Sequence, residues 1–246
     1  EDKPLGTGGA LGNCRDVVSG RFACFNGDIV SSLDVGEMLK QHSQMDVKGT
    51  LALWEVEDPT RFGIVGLDDD SKVTQFKEKP KPEEVFSNLI NAGSYLLEEE
   101  VFDIMPREKH SLERDVFPVL AQEGSLAGFP FEGYFIDAGT PVSWHEGVLR
   151  CIEQGRFKSG SLTGGSWHQG GHTSATNSMV QEGCFVAGEV TDSTLLRGSR
   201  VDSGAVVKNC LIGEGAVIES NAKLTNVVVG HGTVVSAGHI QTEGTI

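Results

Sequence analysis

Apolar positions follow two different rhythms along this chain. Up to about residue 154, short apolar runs alternate with stretches of helical spacing. The runs "RFACF" (21–25) and "GTLALWEV" (49–56) predict buried strands. The stretch "SLDVGEMLKQHSQ" (32–44) predicts a helix whose apolar face is Val35, Met38 and Leu39. "SLERDVFPVLAQEG" (111–124) predicts a second helix, capped by Ser111, bent at Pro118 and stopped by Gly124. Strand–helix alternation of this kind predicts an α/β sheet covered by helices. Residues 155–178, rich in Gly, Ser and Thr, predict a linker or irregular loop.

Beyond the linker the rhythm changes. Leu195, Val201 and Val207 are six apart, as are Ile212, Ile218 and Leu224, and Val229 and Val235 continue the series. Leu195, Ile212, Val229 and Ile246 stand 17 apart, and Asn209 and Asn226 repeat at the same interval. Small residues (Ser199, Ala205, Ala216, Ala222) follow four places after several of the aliphatics. Apolar residues at every sixth position with small ones between predict a three-sided parallel β-helix of stacked coils. A sandwich of short strands is the alternative. Ile246 opens a fresh coil, so the pattern predicts further chain beyond it or a subunit contact over that end.

Charge narrows the partners. The 246 residues carry 35 Asp and Glu against 20 Lys and Arg, a net charge of −15. That excess argues against nucleic acid and against an acidic membrane surface, both of which require clustered cations. Five scattered cysteines (14, 24, 151, 184, 210) suggest reduced, packing thiols of a cytoplasmic protein. No apolar run approaches the roughly 20 residues of a bilayer span, and no signal peptide opens the sequence.

The candidate chemistry is spread over the first half. "PLGTGGALGN" (4–13) reads as a glycine-rich turn entering a helix, a place for phosphate or a nucleotide base, yet only Glu1, Asp2 and Lys3 precede it. "FACFNGD" delivers Asp28 to the end of a strand, where open α/β sheets bind ligands; a plain turn aspartate is the other reading. "GYFIDAGTP" repeats the arrangement with Asp137, while Thr140 and Pro141 already fit a helix N-cap and first helical position. Two such carboxylates suit a hard cation, Mg2+. "FKEKP" (76–80) sets Glu78 and Lys79 at another strand end. There Pro80 predicts an extended Lys79 whose ammonium reaches phosphate; a solvated charged loop is the alternative. "INAGSY" (90–95) places Asn91 and Gly93 in an apolar strand, for close approach of a ligand or for a bulge. The seven histidines give no metal pattern, and His231 and His239 read as loop residues of the β-helix.

Taken in order, "LGTGGAL", "FNGD", "RFGIV", "FKEKP", "NAGSYLL", "SLERDVFP" and "GYFIDAGTP" resemble the sugar-1-phosphate nucleotidyltransferases, with "SLERDVFPVLAQEG" and "FEGYFIDAGTP" most similar to the mannose-1-phosphate guanylyltransferase branch. The resemblance covers residues 4 to about 150 and implies a Rossmann-like nucleotidyltransferase domain over 1–154. A linker (155–178) and a left-handed β-helix of hexapeptide repeats (179–246) would follow. The implied reaction joins an NTP and a hexose 1-phosphate into an NDP-sugar, of GDP-mannose type, releasing pyrophosphate. Carried over by motif, Leu5, Gly6, Thr7, Gly8 and Asp28 would meet the nucleotide, Gly8 standing where the family more often has alanine. Asp28 and Asp137 would hold Mg2+, Gly63, Glu78, Asn91 and Gly93 the sugar, and Lys79 its phosphate. Lys79, Asp28 and Asp137 are the implied catalytic set, and a homo-oligomer is expected. The family's opening strand and its glycine-rich loop, with the arginine and lysine that grip the triphosphate, have no counterpart in these residues. That departure leads us to expect an inactive fragment of a longer enzyme. A non-catalytic regulatory subunit of the family and a hexapeptide-repeat acyltransferase are the alternatives.

Overall fold

A computed structural model describes residues 3–156, 165–168 and 175–246; most of the expected linker lies outside the described residues. The chain divides into two compact units, Glu1–Phe135 and Ile136–Ile246.

The first unit contains helices Gly6–Gly12 (α1), Val35–Gln44 (α2) and Phe117–Gln122 (α3). Its strands are Phe22–Phe25 (β1), Ile29–Ser31 (β2), Gly49–Glu55 (β3), Gly63–Leu67 (β4), Val73–Glu78 (β5), Leu89–Leu97 (β6) and Leu126–Pro130 (β7). The main sheet runs β5-β4-β6-β3-β7, and β1 also pairs with β6. The β3–β7 pair is parallel and the remaining pairs are antiparallel. Side chains alternate across the sheet. Leu51 and Leu53 of β3 enter one core with Tyr95, Leu97, Phe117 and Leu126, while Ala52 enters a second with Met38, Ala92 and Leu96. A strand covered on both faces reads as one apolar run, as "GTLALW" does.

Three expectations change here. β1 is not a buried strand: Phe25 is 54% exposed, because β6 is its one strand partner among the described residues. Asp34 caps the α2 helix, its Oδ1 accepting the Gly36 and Glu37 amides at 2.8 and 3.0 Å. Its inner face, however, is Met38 and His42, one turn apart, whereas Val35 and Leu39 are 36% and 40% exposed. His42 can occupy a core position because both ring nitrogens are satisfied, Nδ1 2.7 Å from Thr50 Oγ1 and Nε2 3.1 Å from Glu98 Oε1. The helix expected over 111–124 is two pieces: a wide π-type turn, Leu112–Val116, and then α3. Ser111 caps it through the Arg114 amide at 3.3 Å, and Gly124 ends it at φ +65°. Pro118 falls in the first turn of α3, where its missing N–H costs nothing, so the bend sits at the joint.

The second unit begins within the short strand Phe135–Asp137 (β8) and continues into helix Pro141–Glu153 (α4). Thr140 Oγ1 accepts the Ser143 amide at 3.2 Å, with Pro141 at the first helical position. From Ala175 onward the chain is a parallel β-helix with three faces, and the strand Gly165–His168 pairs antiparallel with Ser178–Gln181. Leu195 pairs with Ile212, Val201 with Ile218, and Val207 with Leu224, which realises the 17-residue offset read from the sequence. All six are fully buried, and Ser199, Ala205, Ala216 and Ala222 fill the inner corners. Asn209 and Asn226 take left-handed turns (φ +49° and +54°), and Asn209 Nδ2 donates to Asn226 Oδ1 at 2.7 Å. Against this wall His145 of α4 is buried, its Nδ1 2.8 Å from Thr194 Oγ1. All five cysteines are free thiols. Among the described residues no helix is long and apolar enough to cross a membrane.

Candidate active site

The glycine-rich segment is already a helix at Gly6, whose φ of +76° turns the chain into α1. Residues 110–113 hold it. The His110 amide donates to Leu5 O at 3.1 Å, and His110 O accepts the amides of Gly8 and Gly9 at 3.2 and 3.3 Å. Thr7 Oγ1 accepts the Leu112 amide at 3.0 Å and donates to Glu113 Oε2 at 2.6 Å. The His110 ring is buried against Gly8, so closely that a Cβ on Gly8 would overlap it. Its Nδ1 lies 2.7 Å from Glu108 O. A carbonyl can only accept, so Nδ1 donates, and Nε2 is buried with no hydrogen-bond partner among the described residues.

The groups expected around the sugar lie in the same unit. Gly63 of β4 stands opposite Glu78 of β5, and a Cβ on Gly63 would come within 2.8 Å of Glu78 Oε2. The glycine therefore makes room for that carboxylate. Lys79 is exposed, but it is not extended: its φ is +46°, and its amide is tied to Phe62 O at 2.9 Å as the chain leaves β5. The other described non-glycine residues with positive φ are Ser, Asn and Asp, so a lysine there marks a strained turn at a candidate site. In β6, Asn91 Nδ2 donates to the buried Tyr95 hydroxyl at 3.0 Å, and Asn91 Oδ1 accepts the Gly93 amide at 3.1 Å. Gly93 has φ +66° in the stretch of β6 where its register with β3 shifts, and the Asn26 side chain packs where its Cβ would be. The glycine thus serves the bulge and the close approach of the Asn26 side chain.

Electrostatics ties these clusters together. Burial pushes the Glu78 carboxyl up, and the neighbouring charge of Glu113 adds to it, against Lys79 and Arg114. The Tyr95 hydroxyl is raised by burial and then by Glu113. Sequence reasoning assigned Glu113 no role of its own; the fold makes it the acceptor of the Thr7 hydroxyl and a charge that raises Glu78 and Tyr95.

Asp28 is exposed in the turn after β1, where the Ile29 amide bonds back to Asn26 O at 3.4 Å. Asp137 belongs to the second unit, and its Oδ1 accepts the Gly139 amide at 3.1 Å. Among the described residues no three His, Cys, Asp or Glu side chains group as metal ligands. Carboxylate oxygens nonetheless fit Mg2+, which takes one or two of them and completes its shell with water and substrate phosphate.

Two family models match the chain, one over each half. A family model described as nucleotidyl transferase matches residues 1–154, and one described as GlmU-like, C-terminal hexapeptide, matches residues 166–241. The probable mannose-1-phosphate guanylyltransferase 1 of Oryza sativa subsp. japonica is 30% identical over 234 residues, 87% of this chain and 64% of that protein. The mannose-1-phosphate guanylyltransferase catalytic subunit beta of Danio rerio is 30% identical over 233 residues, with the same coverage of 87% and 64%. The chain thus spans about two thirds of the length of these curated relatives. Among solved structures, a putative glucose-1-phosphate thymidylyltransferase from Bacillus anthracis, in complex with a sucrose, matches with TM-score 0.53 at 28% identity, over 60% of this chain and 61% of that one. HddC from Yersinia pseudotuberculosis matches with TM-score 0.50 at 31% identity, over 60% and 63%.

Proposed function

The chain belongs to the nucleotidyl transferase family, and on that premise we propose that it serves nucleotidyl transfer from a nucleoside triphosphate to a hexose 1-phosphate. We assign GTP and mannose 1-phosphate as the pair, since relatives named as mannose-1-phosphate guanylyltransferases match over 87% of this chain. One observation carries the reading: pairing among β5, β4 and β6 sets Gly63 opposite Glu78 and Ile64 opposite Ile90, next to Asn91, so that three groups proposed for the sugar stand on adjacent strands. Glu78 and Asn91 would take sugar hydroxyls. Gly63 and Gly93 would let Glu78 and Asn26 stand close to the sheet where the sugar lies. The exposed Lys79 would meet the sugar phosphate as a point charge. From its motif, Asp28 would be a carboxylate ligand of Mg2+, which when bound supplies neutralising charge to the phosphates. A phosphate oxygen of the sugar phosphate then attacks the α-phosphorus in line, and the bond to pyrophosphate breaks as the new P–O bond forms. Positioning and charge neutralisation suffice for such a transfer, so no protein nucleophile is required.

Calorimetry with mannose 1-phosphate and glucose 1-phosphate tests the reading. Mannose 1-phosphate should bind more tightly, and Lys79→Ala should weaken its binding about tenfold or more, the worth of a charged hydrogen bond. A clear preference for glucose 1-phosphate refutes the sugar assignment. Failure of both to bind refutes the reading as a whole.

A further inference from the structure

We propose that the cavity between helix α4 and the β-helix is a binding site for a small uncharged molecule with an apolar body and a hydroxyl head, an alcohol or a phenol. Every residue of the cavity belongs to the second unit, and the inference is independent of the functional reading above.

The helix supplies one wall. Val142, His145 and Leu149 stand at i, i+3 and i+7 and so form a single stripe along α4. Leu211 and Val228, paired on neighbouring coils, form the facing wall. The space between the walls is about 250 Å³. An aliphatic cavity of about 150 Å³ holds a benzene ring, so this one admits a substituted ring or a short branched chain.

The polar groups are few. Asn209 and Asn226 line the cavity as a hydrogen-bonded pair, and Asn209 stands near the His145 ring. His145 is only 7% exposed, and no hydrogen bond reaches its buried Nε2 from the described residues. An unpaired buried polar atom is a standing cost to the fold, which a ligand atom at hydrogen-bond distance removes. The other ring nitrogen, Nδ1, lies 2.8 Å from the Thr194 hydroxyl. That hydroxyl can donate or accept, so Nε2 can present either a lone pair or a proton. A hydroxyl head both accepts and donates, and it therefore answers either tautomer.

Charge is disfavoured in the same place. Burial pushes the His145 pKa down, against Asn209 and Asp192, so the ring is neutral at pH 7. A charged head would leave water for a neutral ring, and an anion would in addition meet Glu146, which also lines the cavity.

Amide NMR titrations of the full chain with three probes of similar shape test the assignment. Here p-cresol carries the hydroxyl, toluene lacks it, and 4-methylbenzoate replaces it by a charge. The p-cresol titration should give saturable shifts at Leu149, Leu211 and Val228. Toluene should shift the same amides with about tenfold weaker affinity, the loss of one buried hydrogen bond. The benzoate should leave them unmoved. In His145→Phe, which keeps a ring without its nitrogens, p-cresol should fall to the affinity of toluene. Val228 is half-buried and outside the β-helix core, so Val228→Phe should fill the cavity and abolish binding of both. No saturable shift with p-cresol, shifts confined to other residues, equal affinity for p-cresol and toluene, or binding of 4-methylbenzoate overturns the proposal. The contrast among probes in the parent chain decides the matter even where a variant fails to fold.

Discussion

Replacing Gly8 by alanine should loosen the glycine-rich helix, against the rule for an isolated helix. Alanine is favoured over glycine in a helix interior by about 1 kcal/mol, and Gly8 has no positive φ that would demand glycine. The obstacle is space. The new Cβ would lie 2.2 Å from Cδ2 and 2.4 Å from Nε2 of the His110 ring, with Cγ tight at 3.1 Å, so the ring and not a flexible tip is in the way. That ring is buried and pinned through Nδ1 to Glu108 O, so it cannot swing clear without losing the bond. Overpacking of this kind costs about 1–3 kcal/mol, which outweighs or cancels the propensity gain and leaves α1 destabilised by up to about 2 kcal/mol. In a His110→Ala background the overlap is gone, and the same Gly8→Ala change should stabilise α1 by about 1 kcal/mol. The sign of the effect therefore reverses. Native-state exchange of the α1 amides measures it locally, avoiding the assumption that two compact units unfold as one. Slower α1 exchange in Gly8→Ala with His110 intact would refute the reasoning, since the ring would then be yielding at no cost.

Two further predictions test the frame around the site. Burial holds His42 below its ordinary value of 6.5, with nearby Arg21 acting the same way and the bond to Glu98 opposing. Because the folded value is the lower one, the unfolded chain takes up the proton first as pH falls. The neutral-histidine contribution is complete above about 6.5 and is lost as pH falls through that value toward the folded pKa. Urea midpoints of the first unit should drop between about pH 7.5 and about pH 5.5 in the parent and drop less in His42→Gln; equal slopes would reject the assignment. In the β-helix, Ile212 is fully buried between Leu195 and Val229 of the neighbouring coils. Ile212→Ala should cost about 2–5 kcal/mol in urea unfolding followed by β-sheet circular dichroism, and a loss below about 1 kcal/mol would mean that the coils close over the gap.

What could be read from the chain depended on how local the cause was. The β-helix was legible residue by residue, because each coil repeats the last and a buried Leu195 dictates a buried Ile212 exactly one coil later. The strand "GTLALWEV" and the caps at Ser111 and Thr140 were legible because they depend on neighbours in sequence. Helix α2 was placed correctly but its face was not, since a buried histidine costs little only once Thr50 and Glu98 have arrived to satisfy it. Pro80 suggested an extended Lys79, yet the Phe62 carbonyl, brought alongside by the β4–β5 pairing, decides that residue's backbone. The glycine at position 8 looked like a lapse from a family alanine. The ring that explains it is 102 residues away, and no periodicity connects the two. The same holds for Thr7 and Glu113: each was visible as a polar residue in a motif, and only the fold makes one the acceptor of the other's proton. Motifs therefore named candidate groups one at a time, whereas the contacts that order them are properties of the folded chain, and it is such a contact that the Gly8 variant perturbs.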